Sequence, residues 1–473
     1  MKLVILIFFL FSQYPPDTNY TPIYTPIPPM PSLNQPIVDT TTQVLITRIT
    51  DYDSVWDWYP RHAYSKTQTW NADMSMYKFY SVAIYSSLTH EKIMDLPDIY
   101  YSLWSNTDPD LLYSFRSDGV IQTYRISTHE LDTLFRLRGF DLVKVGPGEG
   151  NIDNYDRYVA LACKKDTDLV VVIFDLQLGD TLISKLFQGA WGNDESPYYF
   201  DWISISQSGD YVGIMWDHNH TSPENPFNGH FGVEIYDSRT LTFSRRLVEY
   251  GNHGDFGFTP GGEEVFVQFY GHGGTINAYK LGNGEHIIIH NHPDFGFGDA
   301  HISCRNIRRP GWAYASTDPS KGGMIVAVKL DGSGTVELFG HHFSSAYNYT
   351  KSPMPVPSPD GTIVMFNSDF GDSVNTELVY VFTSQYSPSV IGENPESSNN
   401  NIFYGDKKIF INVPNNQQIT LDILTIDGRK IRKMLLSGQN HYVIPLNFIQ
   451  SGIYFSLIKQ REHIFTKKFI ILK

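Results

Sequence analysis

One short turn followed by an apolar run recurs seven times along the chain, and this repeat limits the fold more than any other feature. The copies read WNADMSMYKFYS from Trp70, SNTDPDLLYSF from Ser105, DNYDRYVALAC from Asp153, SQSGDYVGIMW from Ser206, FTPGGEEVFVQF from Phe258, RRPGWAYAS from Arg308 and PSPDGTIVMFNS from Pro357. With turn centres at Asp73, Pro109, Asp156, Gly209, Gly261, Pro310 and Asp360, successive copies lie 36, 47, 53, 52, 49 and 50 residues apart. Each turn leads into a strand of about six residues. A second run ending in a hairpin follows most copies, as in TINAYKLGNGEHI and MIVAVKLDGSGTV, where Gly-Asn and Asp-Gly supply the positive φ that tight turns need.

A four-stranded antiparallel unit of this length is the size of a propeller blade. One such unit cannot cover both of its own faces, so the copies must pack against each other. The predicted fold is all-β: a seven-bladed β-propeller over residues 41–384, followed by a small C-terminal β-sandwich; two packed sandwiches are the alternative. The last copy lacks a strand after Glu377–Thr383, and the alternating run Gln43–Ile49 is the candidate to complete it and close the ring.

The flanks differ from this body. Lys2 followed by the apolar run Leu3–Phe11 reads as an export signal over residues 1–12, too short to span a bilayer. Residues 13–40 are predicted as an extended linker: eight prolines fall between positions 14 and 36, and proline withholds a donor from any sheet. A polar linker covers 385–401. Residues 402–473 hold six short strands, KIFINV, QQITLDILTI, RKIRKMLL, HYVIPL, GIYFSLI and FTKKFIIL. From Asn400 onward there are 11 Lys/Arg and 4 Asp/Glu, although the whole chain carries −14. An acidic body argues against nucleic acid as a partner. Cys163 and Cys304 stand alone and read as buried free thiols or a single disulfide.

The tail resembles the type A sorting domain of the type IX secretion system of Bacteroidetes-type bacteria. LDILTIDGRKIRK, then the polar Asn447–Gln450, then SGIYFSLI, then FTKKFIILK stand in that family's order at the end of the chain, with IFYGDKKIF at its start. The resemblance implies recognition by the type IX machinery and a secreted or outer-surface location reached through the periplasm. The SPDG turn at Pro357–Gly361 resembles the TolB-type propeller repeat, which oligogalacturonate lyases share. In those lyases a histidine-rich segment before the last such turn supplies metal ligands. Here the segment is KSPMPVPSPDG, with Ser352 and Met354 in the histidines' place.

Propellers bind ligands where the loops entering the innermost strands converge. Asn252-His-Gly-Asp-Phe-Gly-Phe258 recurs as Asn291-His-Pro-Asp-Phe-Gly-Phe297, about one blade later. Equivalent positions in adjacent blades bring His253, Asp255, His292 and Asp294 together, with His301 and Arg305 following. His253, His292, His301 and Arg305 are the candidate catalytic set: a histidine base and an arginine to stabilise enolate-like charge, as a polysaccharide lyase requires. Asp255, Asp294, His341 and His342 are candidate ligand-binding residues, and the His/Asp donors suit a divalent metal. The repeated motif reads first as hydrogen-bonded ties between blades, and His341-His342 reads as a solvated loop. Asp217, His218, His220 and His230 flank an insertion in the fourth blade. The expected function is ligand binding, to a glycan or a protein, by an exported propeller; the alternative is a carbohydrate-active enzyme of polysaccharide-lyase type.

Overall fold

The computed structural model describes residues 14–51, 62–80, 82–99, 101–192, 199–216, 229–251, 254–270, 275–291, 301–345, 349–372 and 379–386, and most strands between 402 and 471. The chain divides into two units, Met1–Pro388 and Ser389–Lys473. Residues 1–12 fall outside the described residues.

The described residues of the first unit form seven antiparallel sheets. Sheet 1 is Met76–Phe79, Ala83–Ser86 and Lys92–Asp95, and sheet 2 is Ser102–Trp104, Leu111–Phe115, Val120–Arg125 and Glu130–Arg136. Sheet 3 is Leu142–Lys144, Tyr158–Lys165, Asp168–Asp175 and Asp180–Phe187; sheet 4 is Phe200–Ile205, Tyr211–Trp216, Val233–Asp237 and Phe243–Val248. Sheet 5 is Gly254–Phe258, Glu264–Tyr270, Thr275–Lys280 and His286–Asn291, and sheet 6 is Trp312–Ser316, Met324–Lys329 and Thr335–His341. Sheet 7 combines Val356–Pro357, Ile363–Ser368 and Tyr380–Tyr386 with two strands from near the N-terminus, Val44–Arg48 and Pro36–Val38.

Alternating side chains make each sheet apolar on both faces, and each face is buried on a neighbour. Ile84 of sheet 1 packs with Leu112 and Tyr124 of sheet 2. Tyr113 packs on Val159 and Val172 of sheet 3, and Ala160 and Val171 on Ile203 and Ile214 of sheet 4. Trp202 meets Phe256 and Phe266 of sheet 5, and Val267 meets Ala313 and Val326 of sheet 6. Tyr314 and Phe339 then pack on Phe366 and Phe382 of sheet 7, whose Met365 and Val381 return to Tyr77 and Phe79 of sheet 1. The sequence of contacts closes on itself: this is a β-propeller.

The repeated turns seal neighbouring sheets. Asp156, at φ +55°, accepts from Ser105 Oγ (2.5 Å) and Asn106 N (2.8 Å) of the preceding sheet. Glu264 likewise accepts from Ser206 Oγ (3.1 Å) and Ser208 N (2.8 Å). Glycine is required at two of these turns. Gly209 sits at φ +80° with Asp153 Oδ2 only 2.7 Å from where a Cβ would stand, and at Gly361, φ +70°, a Cβ would collide with Tyr314 Oη.

Val44–Arg48 pairs with Tyr380–Tyr386, from Val44 opposite Tyr386 to Arg48 opposite Phe382, so the early run does complete the last sheet. That final strand continues to Tyr386, past the predicted boundary at Ser384. The proline-rich segment is extended as expected, but it is not a free linker. Thr18–Asn19 adds to Thr335–His341 as an outer strand of sheet 6. Tyr20 is buried and bonds Thr317 Oγ1 at 3.2 Å, Tyr14 Oη donates to Asp360 O at 2.8 Å, and Tyr24 Oη to Ser320 O at 2.9 Å. Tyrosine hydroxyls replace the backbone donors that proline removes, which makes the segment a strap.

In the second unit Ile402–Gly405, Lys408–Asn412 and His441–Pro445 form one sheet. Lys430–Leu436, Ile419–Thr425, Gly452–Gln460 and His463–Ile471 form another. Ile409 and Ile444 of the first pack on Leu421, Ile423, Tyr454 and Ile458 of the second, a β-sandwich core. Among the described residues no helix is long and apolar enough to cross a membrane.

Ring closure through the early strand has a measurable consequence. Ile46 is fully buried between sheets 6 and 7. Ile46→Ala is expected to lower stability by about 2–5 kcal/mol in urea unfolding followed by tryptophan fluorescence. A loss below about 0.5 kcal/mol, the ordinary range for surface substitutions, would contradict the closure.

Candidate functional site at the propeller axis

The segments entering the first strands converge at the axis, and polar side chains cross it. Gln68 Nε2 donates to Arg305 O (2.9 Å) and Pro357 O (3.3 Å), Asn151 Nδ2 to Lys66 O (2.9 Å), and Gln207 Nε2 to Phe256 O (2.6 Å) and Cys304 O (2.7 Å). Three of these bonds, Gln68 to Arg305 O, Asn151 to Lys66 O and Gln207 to Cys304 O, link sheets that are not neighbours in the ring, and beside Gln68, Asn151 and Arg305 the free space falls to about 10 Å3.

A larger, partly open cavity of about 330 Å3 is lined by Ala63, Tyr64 and Thr67 before sheet 1, and by Lys78 and Tyr80 from its first hairpin. Tyr101 and Ser102 of sheet 2, the Pro147–Glu149 turn of sheet 3 and Met354 before sheet 7 complete the wall. Loops before sheets 1, 2 and 7, the turn after Leu142–Lys144 and the first hairpin of sheet 1 therefore build it. Lys78 occupies an alternating strand between Tyr77 and Phe79, and its side chain is buried. Its Nζ donates to Tyr80 O at 2.8 Å, and burial lowers its pKa to about 7. Lys66 pairs with Glu149 at 2.7 Å and lies 4.1 Å over the Trp202 ring. Burial raises the phenol pKa values of Tyr64 and Tyr101, so both stay neutral hydroxyls.

The predicted residues divide. Arg305 grips Asp255 through both carboxylate oxygens, Nη2 to Oδ1 at 2.8 Å and Nε to Oδ2 at 3.0 Å. Asp255 also accepts Cys304 N at 2.8 Å, and both side chains are buried. This bidentate pair ties sheet 5 to the inner edge of sheet 6, and Arg305's charge is neutralised within the protein. His301 is fully buried with its ring 5.1 Å from Tyr64 and 5.6 Å from Tyr349, and Ser352 Oγ lies 3.4 Å from Nδ1. His301 thus stands behind the tyrosine wall of the cavity. His253, His292 and Asp294, like Asp217, His218 and His220, lie outside the described residues.

His341 and His342 correct the solvated-loop expectation, because the strap covers them. His341 ends the last strand of sheet 6; its Nδ1 meets Asp39 Oδ2 at 2.6 Å and its Nε2 meets Ile23 O at 2.9 Å. Burial alone would lower the His341 pKa, but the bond to Asp39 and its charge outweigh that and raise it. Burial would raise Asp39, but His341 and two backbone donors bring it below its ordinary value. His342 Nε2 faces Thr317 O at 2.9 Å, and burial lowers its pKa to about 4. His230 belongs to a buried cluster on sheet 4, where Glu234 accepts from Trp216 Nε1 (2.8 Å), Tyr236 Oη (2.7 Å) and Arg246 Nη2 (2.7 Å), and His230 Nδ1 lies 2.7 Å away. Cys163 and Cys304 are buried free thiols.

Tyr64, Lys78, Tyr101 and Glu149 carry the cavity and had not been singled out. Only Lys78 left a signal in the sequence, a lysine within the alternating apolar run MYKF.

Fold and axial cavity define a β-propeller joined to a separate β-sandwich. Residues 394–472 match the family described as the secretion system C-terminal sorting domain, a type IX tail that indicates export or surface display. The structure is similar to the oligogalacturonate lyase of Vibrio parahaemolyticus, with a TM-score of 0.52 and 12% identity over 75% of this chain and 97% of that one. It is similar also to an oligogalacturonate lyase in complex with manganese, with a TM-score of 0.53 and 11% identity over 80% of this chain and all of that one (100%). At these identities the likeness is one of fold. No curated protein matches the chain by sequence. Among the described residues no group of three or more His, Cys, Asp or Glu side chains could hold a metal. Beside His301 stands the hydroxyl of Ser352, while Met354 brings a soft thioether to the cavity wall, and these donors do not fit manganese.

Two outcomes follow. Arg305→Ala leaves Asp255 charged and buried, and is expected to cost about 3–5 kcal/mol in urea unfolding; a loss under 1 kcal/mol would free Arg305 for another role. For the strap the signs are opposite. The His341 contribution is complete below the ordinary imidazole pKa and fades as pH rises through the raised folded value. The Asp39 contribution is complete above the ordinary carboxylate range and fades as pH falls through the depressed one. Limited proteolysis of residues 14–40 should therefore be slowest near about pH 5–6 and faster at about pH 9, and His341→Gln should flatten that profile.

Proposed function

We propose that this is an exported binding protein whose propeller takes a small extracellular glycan in the axial cavity, while the C-terminal unit addresses it to the type IX machinery. The cavity carries this reading. Its volume of about 330 Å3 lies at the lower end of small-molecule sites and suits one or two sugar rings better than a protein surface. Tyr64, Tyr80 and Tyr101 provide aromatic faces and hydroxyls together, the combination that recognises a sugar. An N-terminal signal followed by passage through the periplasm completes the proposed route.

The polysaccharide-lyase reading draws on fold likeness. Arg305, its candidate electrophile, is committed to Asp255, and this weighs against it. A panel of neutral and acidic oligosaccharides, titrated calorimetrically, tests the binding reading. At least one should bind, and Tyr64→Ala or Tyr101→Ala should weaken it about tenfold or more, roughly 1.4 kcal/mol. Accumulation of unsaturated, ultraviolet-absorbing product would replace binding by the lyase reading. In a host with type IX secretion, truncation after residue 393 should abolish release to the medium or surface; undiminished export would remove the sorting role.

A further inference from the structure

Among the described residues, the buried cations Lys66, Arg305 and Lys351 are each paired with a carboxylate. Lys66 meets Glu149 at 2.7 Å, Arg305 meets Asp255 at 2.8 Å, and Lys351 meets Asp369 at 2.8 Å. Lys78 is equally buried and lines the cavity, but its hydrogen-bond partner is a neutral carbonyl, Tyr80 O at 2.8 Å. Among the described residues it has no carboxylate partner.

We propose that Lys78 is a nucleophilic amine serving the axial cavity, and that it forms a reversible imine with a ligand bearing an aldehyde or ketone, such as the open-chain form of a reducing sugar. This rests on the reading of the cavity as a ligand site and adds a covalent step to it. An ammonium ion removed from water without a counter-charge is costly, so the group sheds its proton more easily. With the pKa near 7, about half of the side chain is free amine at neutral pH. The lone pair on Nζ attacks the carbonyl carbon, a C–N bond forms, and the carbonyl oxygen takes up a proton to give a carbinolamine. Departure of that oxygen as water leaves C=N; addition of water reverses the step, and no oxidant or reductant is consumed. Tyr64 and Tyr101 line the same wall as neutral hydroxyls and can carry the proton to the oxygen. The other groups around Lys78 are Tyr80 at the end of its own strand, Thr67 on the entering loop, and Glu149, which Lys66 neutralises.

The test is reductive trapping on the full-length protein, with glyceraldehyde as probe, cyanoborohydride as reductant and peptide mapping as readout. At pH 7 Lys78 should be modified about tenfold faster than the exposed Lys92, and its rate should level off above about pH 7. Lys78→Met, which keeps the length of the side chain without a charge, should abolish the label at that position without shifting the thermal midpoint by more than a few degrees. Modification no faster than at Lys92, or a rate profile with its midpoint near pH 10, would overturn the proposal. Calorimetric titration with a reduced, carbonyl-free oligosaccharide separates the two readings. If that ligand binds and no imine is trapped, the covalent step fails alone; if it does not bind and nothing is trapped, the cavity reading falls with it.

Discussion

The structure depends on a strand pairing across almost the whole length of the first unit. Val44–Arg48 lies against Tyr380–Tyr386, joining the start of the ring to its end. A propeller sheet is stable only when both faces are covered, so the ring gains its full burial when the last interface forms. Sheet 7 supplies that interface, and its outer strands come from the N-terminal side. The proline-rich strap extends the same principle. It runs along sheet 6 and is held by tyrosine hydroxyls and by Asp39 on His341, so the ring is fastened twice by one end of the chain.

Closure also decides what the axis can do. Side chains of sheets 1, 3 and 4 bond carbonyls of sheets across the ring, and the bidentate Asp255–Arg305 pair holds sheets 5 and 6 together. These polar groups are engaged by the protein itself, as buried polar groups usually are. Beside them lies a partly open cavity. Its wall is aromatic hydroxyls, a salt-bridged Glu149 and the amine of Lys78. The likeness to oligogalacturonate lyases reaches the fold, while the donors beside His301 differ from what a manganese site would use. At 11–12% identity the shared fold alone assigns no chemistry to this chain.

Much of the architecture was legible in the sequence because it rests on local patterns. The turn-and-strand copies, the hairpin signals, the need for an early strand to finish the last sheet and the order of motifs in the tail can each be read within a few residues. The site was less legible. Asp255 was recognised through its repeated motif, but its partner Arg305 lies 50 positions away and the pairing assigns both to structure. His341 looked like a loop residue because its cover, Asp39, lies 302 positions away. Tyr64 and Tyr101 are ordinary tyrosines until four sheets bring their entering loops to one wall.

The sequence by itself determined that this chain must form many short paired strands, that a repeated unit must be stacked, and that a basic, strand-rich tail stands apart from an acidic body. Periodicity and turn chemistry act over a handful of residues, so they survive without knowledge of the fold. Only the tertiary structure decided which charges are spent inside the protein and which line a cavity. Burial and counter-charge are properties of neighbours in space, and for Lys78, Arg305 and His341 those neighbours were set by the closing of the ring.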